Sequence, residues 1–193
     1  VAQENKEIFL RNLLEMVKSL IPHSDYGSIA VFEDEYWKYI WAVGHDIEKL
    51  KKIPIKYEYF SNVKEGIFIF NILNENKKTL PEHIFEQFNE ATKPIKASII
   101  ARLKIGSQEI GNLSLDIARE SEKEFSREDI QTLKAFANVA SAFLGMQKFM
   151  LGQERFQKEL LMSMIKILEY YDLYTKGHSE NVAKLSAFIA KNL

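Results

Sequence analysis

The chain has 193 residues, of which 46% are hydrophobic and 27% charged, and its formal net charge is −1 at pH 7. Its composition is that of a soluble globular protein, and a charge balance so close to neutral provides no field that would attract nucleic acid or anionic lipid. No apolar run approaches the roughly 18 residues of a membrane span. Cysteine is absent, which excludes disulfides, thiolate zinc sites, thiol nucleophiles and thioether-linked chromophores.

The first 43 residues predict a helix and a β-hairpin. Apolar residues recur at helical spacing over residues 4–20, and two β-rich runs follow over 26–32 and 36–43 around a polar turn. The N-terminus has polar and acidic residues where a secretory signal would have basic ones, so we expect a cytoplasmic location. Simple alternation along the second strand places four residues on one face: Trp37, Tyr39, Trp41 and Val43.

The middle of the chain predicts short helices over residues 46–52 and 81–91 and aromatic-rich strands over 55–60 and 66–72. The pair His45-Asp46 follows a glycine and precedes a helix. We interpret this pair as a loop residue and a helix cap and not as a metal-binding motif.

Two further strands, over residues 97–105 and 109–117, are joined by a tight turn at 106–108. One face of this strand pair is apolar throughout. The other face carries mainly polar residues: Ser98, Ile100, Arg102, Asn112, Ser114 and Asp116.

A long helix is predicted to begin after Ser126, which is placed to cap it, while Asp129 can reach back to the cap amide. Without an interrupting proline, the helix would continue to about residue 171. One apolar stripe, Leu133, Phe136, Ala140 and Phe143, is expected to pack on the sheet. A second stripe consists of Ile130, Ala137, Leu144 and Leu151. It requires a second helix or a second chain as its partner, and we expect it to pair with a second copy in a parallel homodimer. The alternative is one broad core-facing surface over the first half of the helix.

The order of these elements, with Glu-Ile-Gly-Asn-Leu-Ser-Leu-Asp in the last strand and Phe-Ser-x-Glu-Asp opening the helix, resembles a GAF domain over residues 5–150. The resemblance implies an α+β fold in which an antiparallel sheet has the N- and C-terminal helices on one face. It also implies that variable loops roof the other face to form a ligand pocket.

Two sets of residues are candidates for binding a ligand in such a pocket. Hydrogen-bonding groups would come from Ser98, Arg102, Asn112, Ser114 and Asp116, and aromatic walls from Trp37, Trp41, Phe68 and Phe70. The alternative is a solvated outer face, with Arg102 and Asp116 paired across strands, and aromatics that only fill the core. The Asn-Lys and Phe-x-x-x-Asp-Glu pattern of cyclic-nucleotide-binding GAF domains matches poorly, because Ile130 replaces the glutamate and Asn76-Lys77 precedes the fifth strand.

Residues 156–193 resemble the first two helices of an HD-type metal-dependent phosphohydrolase, in particular the HD-GYP class that hydrolyses cyclic di-GMP. The residues that carry this resemblance are Asp172, Tyr174, Thr175, Gly177, His178, Ser179 and Val182. The resemblance implies that His178 is a ligand in a two-metal iron or manganese site whose other ligands would follow Leu193. The chain itself is therefore expected to hold no complete catalytic site and no cofactor.

These expectations define three segments: a GAF-like sensory domain over residues 1–150, a signalling helix over 151–171, and the start of an HD-type domain over 172–193. The predicted function is a sensory module that relays a small-ligand or conformational signal to a cyclic di-GMP phosphodiesterase. The alternative is a ligand-free dimerisation scaffold. An intact enzyme is disfavoured, because a lone histidine cannot hold the metals of a hydrolytic site.

Overall fold

The structure is a computed structural model that describes residues 2–59, 68–70, 72–171 and 178–192. Its helices are α1 (Ala2–Leu20), α2 (Ile47–Leu50), α3 (Ile72–Thr79), α4 (Glu82–Ala91), α5 (Arg127–Tyr171) and α6 (His178–Asn192). Its strands are β1 (Tyr26–Glu33), β2 (Tyr36–Val43), β3 (Ile55–Lys56), β4 (Phe68–Phe70), β5 (Ile95–Ile105) and β6 (Gln108–Ala118). The predicted α+β class is confirmed.

The strands form one antiparallel sheet in the order β3-β2-β1-β6-β5-β4. Both predicted hairpins, β1–β2 and β5–β6, are present, and β1 pairs with β6 at the centre of the sheet. Gly111 is required at that junction, because a Cβ at this position would lie 2.6 Å from the carbonyl oxygen of Ala30.

The main core lies between one face of the sheet and the helices α1 and α5. Its buried side chains include Leu10, Leu14 and Val17 from α1, Leu103, Leu113 and Leu115 from the sheet, and Leu133, Ala137, Ala140 and Leu144 from α5. The phenyl rings of Phe9 and Phe143 stack with their centroids 3.8 Å apart, so α1 and α5 also contact each other. The prediction that both terminal helices cover one face is confirmed.

The predicted dimer stripe on α5 is wrong. Ala137 and Leu144 are buried in this core and Ile130 packs against it, whereas Leu151 is 56% exposed. Both apolar stripes of the first half of α5 therefore belong to a single wide surface that packs within the domain, as the alternative interpretation held.

The alternation predicted for β2 is also wrong, because the pairing of β1 with β2 contains a bulge. Ile29 pairs with Trp41, but Ala30 pairs with Tyr39, so one extra residue of β2 lies between them. Trp37 and Tyr39 consequently lie on one face of the sheet, while Trp41 packs against the main core on the other, with the Arg11 guanidinium 4.3 Å from its ring centroid.

The opposite face of the sheet is covered by α2, α4 and neighbouring segments. A second buried cluster there joins Ala30, Trp37 and Ala42 of the sheet to Leu50, Ile53, Ile55, Leu80, Ile84 and Ala91. Two elements of this region differ from prediction. The strand expected over 55–60 is shortened to β3, which is followed by a 3-10 turn at Tyr57–Tyr59. Helix α3 was not predicted.

The start of α5 has the predicted capping box. The amide of Asp129 donates to Ser126 Oγ at 3.1 Å, and the amide of Ser126 donates to Asp129 Oδ2 at 2.7 Å. The 45 residues of α5 give it a length of about 68 Å at about 1.5 Å per residue.

The chain divides into two compact units, Val1–Gly145 and Met146–Leu193. The second unit contains the C-terminal part of α5 and all of α6. None of the helices in the described part of the chain is long and apolar enough to cross a membrane.

Candidate functional site

A cavity of about 60 Å³ lies within the first unit, on the face of the sheet opposite α1 and α5. By the same measure a single water requires about 10–15 Å³, so the cavity has room for about four to six groups of that size. Its lining consists of Ser28, Tyr39, His45, Leu50, Asn76, Phe88, Thr92, Ile95, Ser98, Ile100, Arg102, Asn112, Ser114 and Asp116.

The floor of the cavity is the polar face of β5 and β6. Ser98 pairs with Asp116, Ile100 with Ser114, and Arg102 with Asn112, so these side chains form three successive cross-strand rows. Ser98, Arg102 and Asp116 are at most 4% exposed. The alternative of a solvated outer face is therefore wrong. Direct cross-strand pairing of Arg102 with Asp116 is also wrong, because they lie two rows apart.

Asp116 is the centre of a hydrogen-bond network at one end of this floor. Ser98 Oγ donates to Asp116 Oδ1, and His45 Nε2 lies 3.1 Å from Asp116 Oδ2. On its other side the imidazole Nδ1 accepts a hydrogen bond of 3.1 Å from the amide of Lys93. An accepting Nδ1 has no hydrogen of its own, so His45 is neutral in this arrangement and donates from Nε2.

Gly44 turns the chain so that His45 enters the cavity. The backbone φ of Gly44 is +83°, and a Cβ at this position would lie 2.4 Å from Cδ1 of Tyr26. The next residue, Asp46, accepts a hydrogen bond from the amide of Lys49 at the start of α2. The predicted helix cap is confirmed, but the prediction missed that His45 is buried in the cavity.

Arg102 lies at the other end of the floor, close to the carboxylate of Glu109. Its Nη1 is 3.7 Å from Glu109 Oε2, and its guanidinium is 5.7 Å from the centroid of Trp37. Glu109 also accepts a hydrogen bond from the Tyr57 hydroxyl at 3.1 Å. Burial, with this bond to Glu109, raises the pKa of Tyr57. The two ends of the cavity floor thus differ in electrostatic character.

An aromatic wall stands beside Asp116. The ring centroids of Tyr39 and Phe88 are 6.4 Å apart, and both residues line the cavity. Burial, with a smaller effect from the Asp116 charge, raises the pKa of the Tyr39 phenol, which therefore stays neutral.

The nine predicted ligand-binding residues are only partly brought together. Ser98, Arg102, Asn112, Ser114 and Asp116 line one cavity, and Trp37 lies in the buried cluster beside it. Trp41 is removed from the set, because the bulge in β2 places it on the opposite face. Phe68 and Phe70 lie on β4, and their side chains are outside the described residues.

Sequence reasoning missed several lining residues, namely Ser28, Tyr39, His45, Asn76, Phe88 and Thr92. For Ser28 a signal was available, because a serine between glycine and isoleucine in a strand departs from an apolar core pattern. Tyr39 lies on β2, where the bulge breaks the simple alternation. The other four come from loops and roof helices, where the strand pattern does not apply.

The residues that the structure describes do not form a metal site. Residues 172–177, which contain most of the HD-type motif, lie outside the described residues, and His178 is the first residue of α6. In the described part of the chain no three His, Asp or Glu side chains are grouped so that they could hold a metal ion. Metal binding by His178, together with further ligands, therefore stays a prediction.

No model of a known protein family matches the chain, and no curated protein matches it in sequence. Solved structures do match its fold. A GAF domain/HD domain protein from Geobacter sulfurreducens superposes with a TM-score of 0.61 at 8% identity, covering 76% of this chain and 96% of that chain.

The blue-light absorbing form of the Thermosynechococcus elongatus PixJ GAF domain superposes with a TM-score of 0.58 at 16% identity, covering 80% of this chain and 93% of that chain. The GAF domain of an Acinetobacter phosphoenolpyruvate-protein phosphotransferase gives 0.56 at 12% identity, covering 71% and 80%. The chain thus has the GAF fold. At this level of identity the likeness concerns the fold alone, and function has to be argued from the cavity.

Proposed function

We propose that the chain is a sensory module whose GAF-like domain binds a small polar molecule in the cavity between the sheet and its roof. The observation that carries this proposal is the burial of Ser98, Arg102 and Asp116 around a cavity. Burying polar and charged groups in a sheet costs free energy that an apolar core would avoid. A convergent polar lining of this kind is typical of a ligand site.

The domain has a physical route by which occupancy can affect α5. Strands β5 and β6 carry the cavity floor on one face and pack against α5 on the other. A ligand that shifts the floor would alter the packing of residues such as Leu103 and Leu115 against the helix. The proposed signal is a population shift between two such packings.

The proposed recipient of the signal is a metal-dependent phosphohydrolase domain of the HD-GYP type acting on cyclic di-GMP, in the cytoplasm. Its support is the motif resemblance that includes His178, together with the fact that one structure with the same fold is named as a GAF domain/HD domain protein. Residues of this chain would supply one ligand of the iron or manganese site. The alternative remains a scaffold in which the cavity has no ligand.

We also propose that α5 pairs with a second copy of itself through its C-terminal part, in place of the buried stripe. Five exposed apolar residues of the second unit follow the 3-4 spacing of a heptad repeat and are 45–65% exposed: Met146, Phe149, Phe156, Leu160 and Ile167. We call these five residues the α5 seam. A heptad repeat on one helix packs best against the same repeat on an identical helix. Gln153 and Ser163 occupy the two remaining positions of the repeat, where polar residues can fix the register of the two helices.

The sensory proposal is tested by measuring the melting temperature of the full chain against a panel of small polar metabolites. Ser114→Leu, which fills the cavity, should abolish the stabilisation that an active compound gives to the wild type. Ser19→Leu, at an exposed serine of α1, is the matched control and should respond like the wild type. If no compound stabilises the wild type, or if Ser114→Leu responds equally, the scaffold alternative is favoured.

A further inference from the structure

Asp116 is a buried acid whose partners are neutral. Its carboxylate accepts hydrogen bonds from the Ser98 hydroxyl and from His45 Nε2. Because His45 Nδ1 accepts from the Lys93 amide, the imidazole brings no positive charge. Among the residues that the structure describes, no lysine or arginine forms a salt bridge with Asp116.

Two cations of the same region have other partners. Arg102 lines the cavity four residues along β5 from Ser98. At about 3.3 Å per residue its backbone is about 13 Å from the row of Asp116. Its guanidinium lies near Glu109 and Trp37. The Lys93 ammonium group lies 5.7 Å from the centroid of the Tyr26 ring, and Lys93 does not line the cavity.

The surroundings of Asp116 suit a positive group. A buried charge that no opposite charge compensates is costly, so a cationic ligand would gain both Coulomb attraction and charge-assisted hydrogen bonds there. The Tyr39 and Phe88 rings line the same cavity. The face of an aromatic ring attracts cations. Ser28 and Ser114 offer hydroxyl groups further along the floor. The cavity volume of about 60 Å³, enough for about four to six water-sized groups, limits the ligand to a few heavy atoms.

We propose that the cavity takes a small organic cation, a primary amine or ammonium compound, whose positive group contacts Asp116 between Tyr39 and Phe88. This inference rests on the proposed sensory function and specifies the chemical class of its ligand. Asp116 would select ligands by their positive charge, and the Tyr39 and Phe88 rings would contact the carbon atoms next to the charged group.

The test compares three probes of nearly equal size at constant ionic strength: n-propylamine as the cation, n-propanol as the neutral compound and propionate as the anion. Their dissociation constants for the full chain are measured by titration calorimetry at neutral pH. We expect n-propylamine to bind at least about tenfold more tightly than the other two, since only it forms a charge-assisted bond with a buried carboxylate. Asp116→Asn keeps the size of the side chain and should remove this preference.

Asp25→Asn is the matched control. Asp25 is also an acid at the sheet, but it accepts hydrogen bonds from Lys123 and from the amide of Ala118 and does not line the cavity. The preference for n-propylamine should survive this change. If Asp116→Asn fails to fold, the three probes on the wild type still decide the question.

Tighter binding of propionate or n-propanol would overturn the cation inference and leave the cavity as a sensory site. Failure of all three probes to bind would also overturn it, whereas the sensory proposal would then stand or fall on the metabolite panel. Retention of the n-propylamine preference in Asp116→Asn would show that the cation binds elsewhere and would equally contradict the inference.

Discussion

His45 and Asp116 are 71 positions apart in the chain, and their side chains meet at 3.1 Å inside the cavity. The contact joins the loop after β2 to the C-terminal end of β6. Since the same imidazole accepts a hydrogen bond from Lys93, just after α4, one ring links the floor of the cavity to two segments that lead into its roof. A ligand that contacts Asp116 is therefore positioned to affect both roof and floor.

The hydrogen bonds of His45 predict its tautomer. The ring should carry its hydrogen on Nε2, because Nδ1 accepts from the Lys93 amide. Long-range ¹H–¹⁵N correlation spectra distinguish the two ring nitrogens directly. A ring protonated on both nitrogens would mean that Asp116 has an internal ion-pair partner, and the cation inference would lose its basis.

Gly44→Ala should destabilise the domain by about 1–3 kcal/mol, the cost of forcing a side chain into a strained positive-φ position that also lacks space. The new Cβ would collide with the Tyr26 ring and displace His45 from the cavity. Gly106→Ala is the control, because φ is +60° there but nothing lies within 4 Å of the Cβ. Urea unfolding should show a clearly larger loss for Gly44→Ala. Equal losses would show that the ring contact does not matter.

The capping box of α5 predicts a pH dependence of stability. Burial alone would raise the pKa of Asp129, but hydrogen bonds from the Ser126 amide and from His23 outweigh it and hold the pKa below its usual value. A lowered pKa stabilises the folded state above the unfolded-state pKa, and this stabilisation is lost as the pH falls through the folded-state pKa.

Asp129→Asn should therefore cost about 1 kcal/mol of unfolding free energy near pH 5, and the difference from the wild type should shrink towards pH 2. The matched control is Asp34→Asn in the exposed β1–β2 turn, where Asp34 pairs with Lys38. It should leave the unfolding free energy nearly unchanged at every pH. A difference for Asp129→Asn that persists undiminished at pH 2 would rule out the charge of Asp129 as the cause.

The α5 seam predicts the effect of charge on association. Phe149→Glu should convert the chain to a monomer, since a carboxylate at a seam position must be desolvated against its counterpart in the other copy. Leu161→Glu changes a residue that is similarly exposed but lies off the seam, and it should leave the mass unchanged. Sedimentation equilibrium gives both masses. A wild-type chain that stays monomeric at high concentration would contradict the proposal that two copies pair through the α5 seam.

The second half of the GAF-like domain was the most predictable from sequence. Strands β5 and β6 alternate cleanly because one face packs on helices, and the capping box is a local signal that needs only Ser126 and Asp129. The polar face of these strands was identified, but alternation cannot show whether such a face meets water or a roof. That distinction depends on α2 and α4, which come from distant segments of the chain.

The errors have specific physical causes. Trp41 was misplaced because one extra residue in β2 reverses the alternation beyond it, and bulges leave little trace in a single sequence. The stripe containing Ala137 and Leu144 was predicted to form a dimer interface, but it is buried within the domain. Helical spacing shows which residues of α5 are apolar, but not what fraction of the helix circumference packs against the sheet and α1. His45 was missed because its role depends on the positive φ of Gly44.

The most direct test of the account is backbone amide chemical-shift mapping of the full chain during titration with n-propylamine, or with the strongest stabiliser from the metabolite panel. The account predicts that the largest shifts occur at Ser98, Ser114 and Asp116 and in the loop around His45, all of which border the cavity. Shifts confined to the opposite side of the sheet, around Trp41 and Arg11, or an absence of shifts at saturating concentrations, would contradict the claim that the buried polar face is a ligand site.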